Sequence, residues 1–293
     1  MPPRSSSFTY QGHRLAYDVY GEGEQVLIYI HGLLIDSDIN RGLAGALAER
    51  GHRVVLIDLL GHGRSSKPEH AAEYRIDAYA DQVFALMDEL GVDQAVLGGM
   101  SLGANVSLFA AAQRPERVRG LVLEMPVLEW AVPSAAMLFV PLLLLAHYGR
   151  GLVWLTSSAM RHVPETPFDP LNSLLHAARA PAEVIAAVLH GVLVGPVAPT
   201  QDQRERIEAP ALVIAHRNDL IHPFDDAENL ARELPHATLV HARSPIELRL
   251  RPDRLTGVIA DFLETTWSGA TPGEPGRRRG RRPSPEGASE TAV

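Results

Sequence analysis

Short apolar runs that end in glycine or aspartate recur along the first half of the chain, and amphipathic segments separate them. Residues 8–20, FTYQGHRLAYDVY, alternate about a Gln-Gly pair and predict a strand hairpin. QVLIYIHG (25–32), HRVVLID (52–58), QAVLGGM (94–100) and GLVLEM (120–125) are continuous apolar runs, as expected of strands buried on both faces. Helices are predicted between them, over 37–51, 75–91 and the residues after Ser101. Strands alternating with helices imply an α/β architecture: a mostly parallel sheet covered on both faces.

From Pro126 to about Ile207 the alternation stops, and the chain is rich in Ala, Leu and Pro with no strand pattern. It resumes with a strand at 209–216, a helix at 225–234, a strand at 237–243 and a helix at about 252–265. The expected organisation is core (1–125), helical lid (126–207), core again (208–267) and a disordered, glycine-, proline- and arginine-rich tail (268–293). The most apolar stretch, Ala131 to Ala146, is interrupted by Pro141 and falls short of the ~20 residues that cross a bilayer. It therefore predicts a buried or pocket-lining helix pair and no membrane span, with a membrane-surface role as the alternative.

Composition narrows the chemistry. There are no cysteines, so disulfides, thiolate catalysis and Cys-ligated metals are excluded, and a reducing, cytoplasmic location is expected. The opening residues have no apolar core of a secretory leader. Net charge is −8; five Arg against three Glu make residues 268–293 +2, leaving −10 on residues 1–267. Such a body does not bind nucleic acid by charge alone. No metal-ligand cluster, cofactor motif or phosphate loop is visible, and no pattern specifies an oligomeric state.

Gly99-Met100-Ser101-Leu102-Gly103 sits between a predicted strand and a predicted helix. Glycines two residues either side of a serine permit a turn too tight for Cβ atoms, exposing the hydroxyl at a helix N-terminus. IYIHGLL (28–34) ends a strand in His-Gly, which brings the Leu33 amide near the serine; the Leu33 and Leu102 N–H groups then form a candidate oxyanion hole. His31 reads as a structural residue of that loop.

These motifs, with DLLGHGRS (58–65) and ALVIAHRNDLIHP (211–223), resemble the α/β-hydrolase superfamily, in the lidded branch of esterases, lipases and haloperoxidase-like enzymes. The resemblance covers about residues 8–265. It implies Ser101 as nucleophile and Asp219 as the acid after the seventh strand. It also implies a histidine in a Gly-His pair after the last strand, where this chain reads HARSPIELRLRPDRL (241–255) and has no histidine beyond His241. A serine needs a base. The candidates are His222, three residues past Asp219 and the preferred one, His241 in the last strand, and Glu247; Glu124 is an alternative acid. The leading expectation is a hydrolase acting on a carboxylic ester or related acyl compound with an apolar moiety, through an acyl-enzyme on Ser101. The alternative is a binding protein for a small apolar ligand on the same scaffold.

Overall fold

The computed structural model describes residues 3–217, 219 and 221–269. The tail expected from residue 268 lies, from 270 on, outside them. Eight strands form one sheet: β1 (Arg4–Tyr10), β2 (His13–Tyr20), β3 (Val26–Ile30), β4 (Arg53–Asp58), β5 (Ala95–Met100), β6 (Val118–Glu124), β7 (Ala211–Ala215) and β8 (Ala237–His241). Their order is β1-β2-β4-β3-β5-β6-β7-β8. The β1–β2 hairpin is antiparallel, and β2 pairs antiparallel with β4; the other pairings are parallel. The hairpin turns at Gln11-Gly12, both at positive φ.

Strand side chains alternate between faces, so each central strand feeds two cores. Ile28, Ile30, Val55, Ile57, Leu97, Leu121 and Val213 pack on one face with α2 (Ile76–Glu89) and α3 (Leu102–Gln113). Leu27, Tyr29, Val54, Leu56, Val96, Val122 and Leu212 pack on the other with Leu43 and Leu47 of α1 (Arg41–Ala48) and Ile259 of the C-terminal helix. Burial on both faces is the reason these strands read as unbroken apolar runs.

Between β6 and β7 the chain leaves the sheet through α4 (Val132–Tyr148), α5 (Arg150–Met160), α6 (Asp169–Ala178), α7 (Ala182–Val194) and α8 (Gln201–Arg204). This insertion holds a small core of its own, including Ala146, Val153, Ile185 and Leu189, against which Leu33 and Leu34 pack. The expected break at Pro141 does not occur: α4 is one helix that carries the proline inside it. Nor is α4 buried, since only Ala146 among its residues is. Leucine content marks a helix as apolar but does not say which neighbour, if any, covers it. After β7 come α9 (Phe224–Glu233), β8, α10 (Glu247–Leu250) and α11 (Asp253–Ser268).

Candidate active site

Ser101 occupies the turn between β5 and α3 with φ 53° and ψ −112°. An L-residue pays strain there, and the surroundings hold it in place. The Ser101 amide donates to the Glu124 carbonyl at 2.8 Å, and the neighbouring Met125 amide donates to Ile214 at 2.8 Å. A Cβ on Gly99 or Gly103 would run into the Ile30 carbonyl oxygen. The two glycines are what let β5 and α3 approach β3 closely enough to raise the serine over the sheet edge.

The β7–α9 loop meets this serine. His222 Nε2 lies 2.9 Å from Ser101 Oγ, and His222 Nδ1 lies 2.9 Å from Asp219 Oδ2. Asp219 Oδ1 accepts the amides of Ile221 (2.8 Å) and His222 (3.1 Å). Burial would raise the Asp219 carboxyl, but the hydrogen bond from His222 and those from the two amides outweigh it and hold it well below the usual carboxylate range. An ionised carboxylate only accepts, so the Nδ1–H of His222 donates to it. Nε2 is then left as an acceptor for the serine hydroxyl.

Sequence reasoning missed one partner. His216, buried at the end of β7, approaches the same Asp219 Oδ2 with its Nε2 at 3.0 Å. Its only signal in the sequence is an imidazole closing an otherwise apolar strand three residues before the acid.

The other candidates lie elsewhere. Glu124 is buried, accepts the Tyr29 hydroxyl at 2.7 Å and pairs with Arg249. Glu247 is held by the Arg254 guanidinium and the Arg243 amide. His241 is exposed rather than packed inward, its ring 4.6 Å from that of Phe224. In the loop after the last strand, Arg249 from α10 reaches inward to Glu124, Asn40 and the Met100 sulfur. A buried ion pair thus anchors this loop under the turn.

His31 donates from Nδ1 to the Gly32 carbonyl (2.8 Å) and accepts the Leu59 amide on Nε2 (3.1 Å), which ties the loop after β3 to the loop after β4. Asp58 caps both loops, accepting the Ser37 amide (2.9 Å) and the Arg64 amide (3.0 Å). These contacts fix Leu33 beside the serine. Among the described residues, neither the Leu33 nor the Leu102 amide donates to a protein acceptor.

A cavity of about 870 Å³, part of it open to solvent, adjoins Ser101 and is lined by Leu33, Leu102, Phe139, Val192 and Ile221 among others. Its other polar lining residue, Asn105, is spent: its amide nitrogen donates to Val127 and Val197 (2.6 Å each), and its oxygen accepts the Val127 amide (3.0 Å). Such a site can deprotonate a hydroxyl, present two amides to a developing anion and hold an apolar group.

Residues 25–151 match the family model for the alpha/beta hydrolase fold. The chain is 37% identical over 122 residues to Mb2734, an uncharacterized protein of Mycobacterium bovis; that match covers 42% of this chain and 35% of the relative, so the chain matches about a third of the length of the first curated relatives. It is 28% identical over 220 residues to the putative carbamate hydrolase RutD of Pseudomonas savastanoi pv. phaseolicola, covering 67% of this chain and 76% of that protein. The enol-lactonase from Burkholderia xenovorans LB400 superposes with a TM-score of 0.70 at 23% identity, covering 88% of this chain and 100% of that one. By its sheet order, its strand–serine–helix turn and these likenesses, the chain has the α/β-hydrolase fold.

Proposed function

We propose that the protein is a serine hydrolase that cleaves a carboxylic ester or related acyl compound bearing an apolar moiety. Ser101 Oγ attacks the acyl carbon while His222 Nε2 takes the hydroxyl proton. The carbonyl oxygen becomes an anion facing the amides of Leu33 and Leu102. His222 hands its proton to the leaving alcohol, and the acyl group remains on Ser101. Water, deprotonated by the same nitrogen, then attacks the acyl-enzyme, releases the acid and restores the serine. Asp219 keeps Nδ1–H in place and stabilises the imidazolium formed in both halves. Helices α4–α8 serve as the lid.

The observation that carries this reading is the chain of two 2.9 Å contacts from Ser101 through His222 to Asp219. The apolar cavity favours an uncharged aliphatic or aromatic group on the substrate. The relatives named as carbamate hydrolase and enol-lactonase agree with attack on an acyl centre. The reaction uses only protein groups and water. The absence of cysteine suits a reducing compartment, and we assign the enzyme to the cytoplasm.

The test is labelling with a fluorophosphonate, together with hydrolysis of p-nitrophenyl esters. The unaltered chain labels; Ser101→Ala does not; and both Ser101→Ala and His222→Ala lose roughly 10³- to 10⁶-fold in kcat. A chain that binds an apolar ester but neither labels nor turns it over would be the binding protein instead.

A further inference from the structure

Of the eighteen large hydrophobic side chains exposed among the described residues, sixteen lie between Trp130 and Val194, in the insertion. They are not scattered. On α4, Met137, Pro141, Leu144, Leu145 and Tyr148 are exposed at helical spacing, so they form one stripe along the helix. The α5 axis turns 98° from α4 and adds exposed Leu152, Trp154 and Leu155. Met137 is 80% exposed, Tyr148 81% and Trp154 65%. Contiguous apolar surface on this scale marks a contact face.

Charge and the neighbouring cavity say what covers it. The chain carries −8, yet no Asp or Glu occurs from Ala131 to Met160; the guanidinium of that stretch is Arg150, 3.7 Å from Glu183 of α7, and Arg161 follows. An apolar face whose own residues carry no carboxylate and whose edge carries the Arg161 guanidinium is complementary to anionic headgroups. Tyr148 and Trp154, apolar rings with one polar atom each, suit the headgroup level. Val132 and Val140 both line the cavity beside Ser101 and belong to the exposed set, so the cavity mouth opens within the face. A second copy docked there would cap the mouth, whereas a lipid surface would leave it facing a reservoir of apolar molecules.

We propose that the α4–α5 face docks on an anionic phospholipid surface, lying in the headgroup region without crossing it. No single helix among the described residues is long and apolar enough to cross. The delivery of substrate from that surface rests on the reading of Ser101 as nucleophile; the docking does not.

Flotation of the full chain with vesicles of phosphatidylcholine, with and without phosphatidylglycerol, tests it. The unaltered chain floats with the mixed vesicles. The variant carrying Met137→Gln, Leu144→Gln and Trp154→Gln loses that binding at least about tenfold. It leaves every charge in place, including the five arginines at 277–282, and touches no cavity-lining residue, so fluorophosphonate labelling should persist as evidence of folding. Ser101→Ala floats like the unaltered chain, which separates failure of docking from failure of catalysis. No flotation of the unaltered chain, equal flotation of the triple variant, or a dimer in sedimentation velocity that the triple variant dissolves would each overturn the proposal.

Discussion

Asp219 Oδ2 accepts from two imidazoles, His222 at 2.9 Å and His216 at 3.0 Å. Only the first reaches Ser101; the second, buried, fixes the carboxylate that orients it. Losing one hydrogen bond to a charged group costs about 1.5–3 kcal/mol. His216→Leu should therefore lower kcat roughly 10- to 100-fold with KM little changed, and His216→Gln, which restores an N–H, should recover part of it. Steady-state kinetics on one ester series decides; an unchanged kcat in His216→Leu would remove His216 from the machinery. Ser101, Leu33 and Leu102 were nameable as candidates because each lies within a short local motif. His222 was legible as a candidate because it follows Asp219 by three residues. His216 was not, since a strand-end imidazole looks the same whether it packs or donates. Glu247 and Glu124 stayed open as candidates because a sequence does not display the arginines that occupy them.

A 3₁₀ turn at Ser37–Asn40 follows the loop that carries Leu33, and α6 of the insertion is fastened to it. His176 Nδ1 faces Asp36 at 2.7 Å and its Nε2 faces Glu165 at 3.1 Å. With a carboxylate at each ring nitrogen, both nitrogens donate and the ring is an imidazolium. That cation sits where Asp36, Asp38 and His176 would otherwise suggest a metal. Burial works against the charge on His176, but the bonds to Glu165 and Asp36 prevail and raise its pKa. Burial and Asp36 push Asp38 up to about 6. The remaining neighbours are Arg41, paired with Asp38 (2.8 Å) and near Asp169 (3.6 Å), and Arg179, near Glu165 (3.8 Å). A raised histidine stabilises the fold below its unfolded pKa and ceases to as pH rises through the folded value; a carboxyl raised in the fold also favours the acid side. Both signs agree, so α6 should be held more firmly at about pH 5.5 than at 8. Hydrogen exchange normalised for intrinsic rates should show α6 amides roughly tenfold more protected at the lower pH, with the difference abolished in His176→Gln. Equal protection at both values would sink the idea. Asp36 and His176 are 140 residues apart, so no local pattern carries this contact. The strands, by contrast, were legible as runs because both faces of the sheet are covered.

The molecule as a whole divides into a sheet whose packing the sequence announces and an insertion whose surroundings it does not. Periodicity reports that α4 is apolar; covered and uncovered apolar helices read alike, so the exposure of Met137 and Leu144 emerged only in three dimensions. The same holds for the buried imidazoles between the loops after β3 and β4. Rings of His31 and His62 lie 4.7 Å apart. His31 accepts the Leu59 amide on Nε2, a bond that protonation would break. His62 donates to the Leu60 carbonyl at 2.9 Å, while its Nε2 is buried with no protein partner. Burial, and after it the proximity of His31, lowers His62 to about 3. The unfolded chain therefore takes up a proton at His62 near pH 6.5 that the folded chain refuses until about pH 3. Stability from this group is complete above pH 6.5 and declines as pH falls through that window, by up to about 1.4 kcal/mol per pH unit. Carboxyls raised in the fold, Asp38 and Asp226, tilt the total the other way, so the informative quantity is a difference between variants. His62→Asn lacks the titrating ring. Urea midpoints measured from about pH 6.5 down to 4.5 should fall less steeply for His62→Asn than for the unaltered chain, by up to one proton's worth of slope. Parallel curves would mean that His62 takes up its proton in the fold as readily as in the unfolded chain, and that the loops holding Leu33 tolerate a charge beneath them.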